Sequence, residues 1–280
     1  MIGAGDAIGG PALASLIRIH LTYAWRHRRI ARLGAPTRFT ELVQLRKLHD
    51  RDPRWVALSD KLAVKAHISA TLGSEWVIPA LWSGRKLPPE MNWPIPLVVK
   101  SRHGCNQRIF VRSADPDWRA IRRKADRWVG RGYGYWLDEW VYAHIDRGLL
   151  IEPFMGPAGA LPIDYKLYVF GGVVAYVQVH LDREHRHRWV VMDRNWNRMS
   201  RPDSHPNPSR PRSLPAMIEA AERLAREFDF VRVDFYEIDG RPMFGEMTFY
   251  PGSGLDPFDP VSLDAVMGAH WLAARASRVT

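Results

Sequence analysis

Two acidic residues in a β-hairpin constrain this chain more than any other sequence feature. Residues 231–238 and 242–248 are rich in β-branched and aromatic side chains, and the Asp239-Gly240 turn between them is a strong hairpin signal. The pattern places Asp234 and Glu246 on adjacent antiparallel strands, each beside apolar neighbours. Two facing carboxylates buried in one sheet repel each other, which is costly unless a cation lies between them. The alternative is an edge hairpin whose two acids point to solvent.

The cation that this arrangement favours is Mg²⁺ or Mn²⁺, because both ions prefer oxygen ligands and are often held jointly with substrate phosphates. Other catalytic signatures are absent from the sequence. It has no Gly-x-Ser-x-Gly nucleophile elbow, no Walker motif and no dinucleotide-binding glycine pattern. The hairpin therefore predicts a site for a metal ion and phosphate groups.

The formal net charge of +10 over 280 residues predicts an anionic partner. Nucleic acid, an acidic membrane surface and an acidic small substrate would all satisfy it, as would a plain excess of arginine on solvated faces. The single cysteine, Cys105, excludes an intrachain disulfide and a cysteine-based zinc site. Cys105 has basic neighbours that favour a reactive thiolate, yet a small loop residue is the commoner role. This cysteine usage fits a reducing compartment, and we expect a cytoplasmic protein.

The N-terminal part of the chain has a helical pattern. Residues 11–49 show helical periodicity with a break at 34–37, and Thr40 is the expected N-cap of a short helix over 41–48. Residues 13–25 are too short to cross a bilayer and are interrupted by Arg18 and His20. They form either an amphipathic helix that contacts anionic lipid or an ordinary packing helix, and packing is the commoner case.

The remaining pattern predicts an α+β fold: helices first, then a strand pair around a loop, then a mostly antiparallel sheet with helices on it. The predicted strands cover residues 76–81, 97–100, 109–111, 149–155, 164–170, 173–180 and 188–192, besides the hairpin. Beyond the N-terminal part, one predicted helix ends at Gly73. Two further helices are predicted over residues 117–129 and 214–228. Residues 200–215 hold five prolines and predict a surface loop.

Three further sets of residues carry possible chemistry. Lys100 ends an apolar strand and precedes a loop with a single glycine, a weak signal for phosphate binding. Glu152 belongs to a stretch that could line an apolar slot and accept hydrogen bonds from a base or sugar. Asp164 and Lys166 share one face of a strand, so Lys166 is either a second phosphate-binding cation or a surface lysine paired with Asp164.

A histidine-rich segment over residues 180–187 has spacing that would permit a transition-metal site. Arg183 and Arg186 lie within it and would repel a metal ion. A solvated, highly charged loop is therefore the favoured interpretation.

Taken in order, these pieces resemble the TupA-like family of ATP-grasp proteins, which belongs to bacterial envelope biosynthesis. The resemblance runs from about Trp55 to Pro260, and each motif is weak alone while the ordered series is specific. The motifs are Ser59-Asp60-Lys61, Pro96-Leu-Val-Val-Lys100-Ser-Arg-His-Gly104, Glu139-Trp-Val-Tyr142, Ile151-Glu152-Pro-Phe-Met155, Asp164-Tyr-Lys166, Asp193-Arg-Asn-Trp196, Phe230-Val-Arg-Val-Asp234 and Phe244-Gly-Glu246-Met-Thr248.

The resemblance implies an ATP-grasp fold, in which two α+β lobes clamp ATP together with Mg²⁺ or Mn²⁺. It implies metal binding by Asp234 and Glu246, with Thr248 as a weaker ligand where many ligases have asparagine. It implies catalytic roles for Lys166 and Arg232. The residues that it implies for nucleotide binding are Lys61, Lys100, His103, Gly104, Asn106, Glu152, Phe154, Met155 and Lys166.

The resemblance also implies the domain organisation and the activity. We expect a helical N-terminal region over 1–58 and an ATP-grasp domain over 59–280, with a lid lobe at about 97–150 and a C-terminal lobe at about 156–280. The expected activity is ADP-forming ligation of an amine to a carboxylate, on a uronic acid or amino acid in envelope polysaccharide or related biosynthesis. No nucleic-acid partner is expected. The alternatives are a kinase of a sugar or small molecule and a basic polyanion-binding protein with a vestigial nucleotide site.

Overall fold

A computed structural model describes residues 13–156 and 160–278 of the chain. The α-helices in these ranges are α1 (Leu13–His27), α2 (Phe39–His49), α3 (Arg54–Ser59), α4 (Ala63–Leu72), α5 (Trp118–Gly130), α6 (Trp140–Ala143), α7 (Leu214–Ala225) and α8 (Ser262–Ala276). The strands are β1 (Trp82–Gly84), β2 (Leu97–Ser101), β3 (Arg108–Val111), β4 (Leu149–Pro153), β5 (Asp164–Phe170), β6 (Val173–Leu181), β7 (Arg188–Asp193), β8 (Phe230–Ile238) and β9 (Arg241–Thr248). Short 3₁₀ segments lie at Ser74–Trp76, Tyr135–Leu137 and Pro251–Gly254.

The first sheet has four antiparallel strands in the order β1-β4-β2-β3. Side chains alternate across a strand, so Leu97 and Val99 of β2 pack with Ile151 of β4 in a small core to which α5 contributes. Val98 pairs with Glu152 in the register, and Lys100 lies two residues after Val98 on the same strand. Lys100 and Glu152 therefore share the opposite face of these two strands. The small core thus leaves one face of this sheet for charged side chains.

The second sheet has five antiparallel strands in the order β7-β6-β5-β8-β9. Its middle strand, β5, is buried along its whole length. Lys166 of β5 pairs with Asp234 of β8, and Asp234 in turn pairs with Glu246 of β9. The predicted hairpin is present, and a register shift between Asp234 and Phe235 brings three charged residues of three strands to one face.

The N-terminal helices share the core of the second sheet. Phe39 of α2 packs edge-on against the Phe230 ring of β8, with ring centroids 5.0 Å apart. Arg46 of α2 is fully buried, and its guanidinium donates to the Phe230 and Phe249 carbonyl oxygens and pairs with Asp229. It also lies 4.3 Å from the centroid of the Trp271 ring of α8. A buried guanidinium needs such partners, so Arg46 fixes α2, α8 and the sheet to one another.

Most predicted elements are confirmed, and two are wrong. Residues 76–81 do not form a strand: Val77 makes one isolated bridge to Phe244, and the chain becomes a strand only at Trp82. Pro79 cannot donate a ladder hydrogen bond, which explains the shift. Thr40 does not cap α2 but lies within it, where its hydroxyl donates to Asp264. Residues 11 and 12 of the predicted N-terminal helix lie outside the described ranges.

Helix α1 buries one side and exposes the other. Ile19 and Tyr23 are buried, whereas Leu13, Leu21 and Trp25 are each more than 60% exposed. In the described part of the chain, no helix has both the length and the apolarity to cross a membrane. Contact of α1 with a membrane surface stays a prediction.

Candidate active site

A group of charged side chains, here called the hairpin cluster, lies where β5, β8 and β9 meet; it consists of Asp164, Lys166, Arg232, Asp234 and Glu246. Asp234 is 1% exposed and accepts hydrogen bonds from Arg232 on both oxygens, each at 2.7 Å. Lys166 donates to Asp234 at 2.5 Å and pairs with Asp164 at 2.8 Å. Arg232 also reaches Glu246 at 3.0 Å. Arg232 thus contacts both hairpin carboxylates in this structure, and Lys166 adds a second cation on the β5 side of Asp234.

Burial and charge set the ionisation of this cluster. Burial raises the pKa of Asp234 to about 6, against the effect of Arg232 and Lys166, so the carboxylate is charged at neutral pH. Burial also opposes the ionised form of Glu246, but Lys166 and Arg232 outweigh it and lower the pKa to about 2. Burial and Arg232 act to lower the pKa of Lys166, yet Asp164 and Asp234 raise it overall. Each of these groups carries its charge at pH 7.

The donor set of the hairpin cluster fits a divalent cation that arrives with phosphate. The hydroxyl of Thr248 and the carboxylates of Asp234 and Glu246 are oxygen ligands of the kind that Mg²⁺ binds. Glu246 accepts hydrogen bonds on Oε1, and no hydrogen bond within the described ranges engages its Oε2. The side chain is 38% exposed, so that oxygen faces the open side of the site.

The net charge of the same region limits what else can bind. Asp164, Asp234 and Glu246 supply three negative charges, and three positive charges come from Lys166, Arg232 and Arg183, which binds Asp164 at 3.2 Å. A bare divalent cation would add two positive charges to this balance, and the phosphates of a nucleotide would compensate for them. Across residues 13–156 and 160–278, including the hairpin cluster, no group of three or more His, Cys, Asp or Glu side chains is arranged to hold a metal ion.

A second charged group, here called the lid cluster, lies on the open face of the four-stranded sheet and consists of Lys65, Lys100 and Glu152. The buried Glu152 carboxylate accepts from Lys100 at 2.5 Å on one oxygen and pairs with Lys65 at 2.6 Å on the other. Burial acts to raise the pKa of Glu152, but the two ammonium groups outweigh it and lower the pKa. Glu152 therefore positions Lys100 here, and both its oxygens are engaged by lysines.

The loop after β2 holds the other residues predicted for nucleotide binding. Lys61 donates to the Gly104 carbonyl oxygen at 2.6 Å, which ties the start of α4 to the loop. A side chain at Gly104 would meet the end of the Gln107 side chain, which would have to move. Asn106 takes a left-handed backbone conformation with φ 57°. The buried His103 ring faces away from this contact and donates to the Trp128 carbonyl oxygen of α5 at 3.0 Å. His103 thus fixes the loop to α5.

Phe154 and Met155 lie in the segment that leaves β4. The Phe154 ring packs edge-on against Phe110, with centroids 5.6 Å apart, and the Arg112 guanidinium lies 4.6 Å from its centroid. Met155 is half-buried. This flat aromatic surface beside Lys100 has the chemistry to hold a nucleotide base.

Cys105 and the histidine-rich segment belong to neither of the two charged clusters. Burial raises the pKa of the Cys105 thiol, which keeps it protonated and supports the interpretation as a small packing residue. The rings of His180 and His187 form a pair, with Nδ1 and Nε2 2.9 Å apart. Burial and the nearby Lys166 lower the pKa of His180 to about 2, so that ring is neutral.

Two residues near the reactive groups were missed by sequence reasoning. Lys65 follows Lys61 by four residues, a spacing typical of two residues on one side of a helix. This spacing was a usable signal that Lys65 lies near Lys61. Arg183 reaches Asp164 from the β6–β7 loop, and nothing in its local sequence announces this contact. A cavity of about 650 Å³ lies elsewhere, between α8 and strands β5 and β6, and contains none of the predicted site residues.

Comparison with solved structures finds proteins with a similar fold. The L-amino acid ligase from Bacillus licheniformis aligns with a TM-score of 0.50 and 12% identity, covering 87% of this chain and 56% of that chain. The D-alanine–D-alanine ligase from Bacillus anthracis, complexed with ATP, gives a TM-score of 0.47 and 15% identity over 78% of this chain and 64% of that one. At such identities the similarity concerns the fold, and the chain spans less than two thirds of either ligase.

The family itself follows from the sequence match. The model of the TupA-like ATP-grasp family matches residues 41–272, and this chain belongs to that family. A comparison with curated protein sequences finds no match. The predicted fold class and family are therefore confirmed.

Proposed function

We propose that this protein is an ADP-forming ligase that joins a carboxylate to an amine through an acyl phosphate. The observation that carries the proposal is the hairpin cluster: two carboxylates, Asp234 and Glu246, pair across a sheet register. Arg232 contacts both of them, and Lys166 contacts Asp234. This set pairs oxygen ligands for a metal–nucleotide complex with two cations for the transferred phosphoryl group. A merely structural ion cluster would not require the open Glu246 oxygen.

The lid cluster supports nucleotide binding in this proposal. Its two lysines exceed its one carboxylate, so it attracts polyphosphate without a metal ion. Lys61 and the loop carrying Gly104 and Asn106 would close over the phosphates, whose oxygens accept from backbone N–H groups. The adenine ring would lie against Phe154 and Met155.

Two bond-making steps follow from the site. In the first, a carboxylate oxygen attacks the γ-phosphorus of ATP, the bond to the β–γ bridging oxygen breaks, and ADP leaves. Lys166 and Arg232 neutralise charge on the transferred phosphoryl group. In the second, an amine nitrogen attacks the acyl carbon, the bond from carbon to the phosphate oxygen breaks, and inorganic phosphate leaves. Glu246 and Asp234 would hold a magnesium ion, which would supply further charge neutralisation for the phosphates.

The substrate class follows from the charge of the chain and from its family. An excess of ten positive charges favours an acidic acceptor, and a uronic acid or amino acid of envelope polysaccharide biosynthesis fits this requirement. We propose that class for the carboxylate substrate.

The first experiment is calorimetric titration with a non-hydrolysable ATP analogue, with and without Mg²⁺. We expect magnesium-strengthened binding in the wild type, a loss of that strengthening in Asp234→Asn, and no change in the control Asp126→Asn, whose side chain is exposed on α5. Absence of nucleotide binding under every condition would overturn the proposal.

Product analysis separates ligation from phosphorylation. Uronic acids and amines are supplied together with ATP, and ADP, inorganic phosphate and organic products are measured. The proposal expects ADP and phosphate in equal amounts that depend on both substrates. A stable phosphorylated product formed without an amine would contradict it and identify a kinase.

A further inference from the structure

The exposed side of helix α1 is apolar. Four large apolar side chains recur there every four residues, and each is between 51% and 72% exposed; they are Leu13, Ile17, Leu21 and Trp25. The opposite side of the helix packs into the core through Ile19 and Tyr23, which are at most 1% exposed. A helix that only packs on a core carries polar side chains on its outer side. The outer side of α1 therefore lacks the pattern of a surface that faces water.

The four side chains form one continuous surface, here called the α1 stripe. Each residue of an α-helix is turned by about 100° from the one before it, so residues four apart are offset by only about 40°. The stripe from Leu13 to Trp25 thus covers about 120° of the helix circumference. Its middle lies nearly opposite the buried pair Ile19 and Tyr23. A contiguous apolar surface of this kind marks a site of interaction.

Two exposed aromatic residues lie beside α1. The carboxylate of Asp138 accepts hydrogen bonds from Ser15 and Arg18 of α1, both at 2.8 Å. These bonds hold the neighbouring 3₁₀ segment next to the helix. Its residues Tyr135 and Trp136 are 69% and 73% exposed. Tyr and Trp rings have an apolar body and a polar end, and both residues are enriched where membranes meet water.

The chain around α1 carries an excess of positive charge. Residues 7–40 contain six arginines and no aspartate or glutamate. Four acidic side chains of neighbouring segments act on this region, which leaves an excess of two positive charges; they are Glu41, Asp138, Asp256 and Asp264. Arg28 and Arg32 follow α1, are exposed, and form no ion pair with any residue that the structure describes. Positive charge is therefore available at the C-terminal end of the α1 stripe.

This charge identifies what the α1 stripe can bind. A second copy of this chain would bring the same positive excess, which opposes its approach. The surface of a bilayer with anionic headgroups complements the charge and offers an apolar interior beside it. The Arg26 guanidinium lies 5.5 Å from the centroid of the Trp25 ring, so a cation adjoins an aromatic ring at the end of the stripe. That combination is typical of helices that lie in the plane of a membrane surface.

We propose that the α1 stripe binds the surface of a bilayer that contains anionic lipid, with α1 lying parallel to that surface. The 15 residues of α1 span about 22 Å, which is less than the hydrocarbon core of a bilayer, so the helix lies on the membrane and does not cross it. The stripe enters the boundary between headgroups and acyl chains, while Arg26, Arg28 and Arg32 contact lipid phosphates. This binding goes beyond the proposed ligase function and does not depend on it.

The test is co-sedimentation of the full chain with large unilamellar vesicles. One set of vesicles contains phosphatidylcholine and phosphatidylglycerol, and the other contains phosphatidylcholine alone. We expect binding to the anionic vesicles and at least about tenfold weaker binding to the neutral ones. Equal binding to the two sets, or no binding to either, would overturn the proposal.

Two pairs of variants locate the binding surface. Leu21→Gln should weaken binding to the anionic vesicles by about tenfold, because it removes an apolar side chain from the stripe. Its control, Leu81→Gln, alters a side chain that is 39% exposed just before β1 and should bind as the wild type does. Arg28→Gln should weaken binding by about fivefold. Its control, Arg123→Gln, removes the same charge from the exposed side of α5 and should have an effect of less than about twofold.

Equal losses in a variant and its control would contradict the proposal, because net charge or general apolarity would then explain the binding. Each altered side chain is exposed or partly exposed, so all four variants should unfold at the temperature of the wild type. Thermal unfolding followed by circular dichroism verifies this for each sample.

Two further measurements test insertion and the competing occupant. Anionic vesicles that contain brominated acyl chains should quench the tryptophan fluorescence of the wild type. Trp25→Phe should remove a large part of that quenching, whereas the control Trp93→Phe, in the small core of the four-stranded sheet, should leave it unchanged. Sedimentation velocity without vesicles should show a monomer. A dimer that Leu21→Gln dissociates, together with no vesicle binding, would show that a second copy covers the stripe and would overturn the proposal.

Discussion

The hairpin cluster and the lid cluster share the same residue types and differ in their charge balance. In the hairpin cluster and its neighbour Arg183, three carboxylates meet three cations. In the lid cluster, one carboxylate meets two lysines. The first region is therefore neutral, whereas the second keeps an excess of one positive charge.

This difference assigns different tasks to the two regions. A positive excess attracts phosphate by itself, so the lid cluster should determine how tightly a nucleotide binds. A neutral cluster gains little from phosphate alone, but it can exchange internal ion pairs for a metal–phosphate complex at little cost in charge. The hairpin cluster should therefore determine whether a bound nucleotide reacts.

The largest effect is expected from Asp234→Asn. Turnover should fall by about 1,000-fold, because the metal–nucleotide complex loses a ligand and Arg232 and Lys166 lose their shared anion. The free energy of unfolding should fall by about 3 kcal/mol, since two buried cations lose a partner. Steady-state ADP release and denaturant unfolding measure both quantities, with Asp126→Asn as the control; near-normal turnover would remove Asp234 from the reaction.

Lys100→Ala should weaken nucleotide binding by about 10- to 100-fold, because it removes one of the two cations of the lid cluster. The loss should be the same with and without Mg²⁺, unlike the loss in Asp234→Asn. Calorimetry with the ATP analogue checks this, and Lys86→Ala serves as the control because Lys86 is exposed. A loss of affinity seen only in the samples with Mg²⁺ would contradict the different roles of the two clusters.

Glu152→Gln separates stability from nucleotide binding. The variant keeps both lysines, so affinity for the ATP analogue should change by less than about threefold, while the free energy of unfolding falls by about 1–3 kcal/mol. The folded state lowers the pKa of Glu152, so its stabilising effect is present above the unfolded pKa of about 4.5 and is lost as the pH falls through the folded value. The difference from wild type should therefore be full at pH 7 and shrink below pH 4.5, as urea unfolding at several pH values would show. Equal instability of Glu219→Gln would point to a general charge effect.

The smallest effect is expected at the contact between the two sheets. Arg112 of the segment after β3 pairs with Glu184 of the β6–β7 loop at 2.8 Å, and both side chains are partly exposed. Glu184→Gln should change the free energy of unfolding by less than about 1 kcal/mol, because exposed ion pairs contribute little. Nucleotide affinity should stay within about twofold of wild type. A large loss of affinity would show that the two clusters act as one unit.

The hairpin could be predicted from the sequence because all its determinants are local. The Asp239-Gly240 turn sets the pairing as far as Phe235 and Phe244, and a shift of one residue between Asp234 and Phe235 then brings Asp234 opposite Glu246. Helix α8 carried a usable signal as well: Leu263, Met267 and Trp271 recur every four residues and are buried. Its helical pattern went unrecognised among many small residues.

The rest of the site depends on contacts between distant segments. Glu152 binds Lys65 from a helix more than eighty residues earlier, and no local pattern encodes that pairing. The predicted strand over 76–81 failed because the Trp76 ring packs against Phe235 while Pro79 interrupts the strand. The sequence indicates which groups are present, whereas the packing of helices on sheets decides which groups meet.

The buried Arg46 has a consequence for how the chain opens and closes. Because its guanidinium bonds to the ends of β8 and β9 and lies against Trp271, removing α2 would take this donor away from Asp229 and from two carbonyl oxygens and would uncover the α8 surface. Amide protons of α2 and α8 should therefore exchange with solvent together, in a single opening event that includes the central strands. A fragment that starts at residue 59 would lack part of this cooperative unit, so useful truncations keep α2 attached.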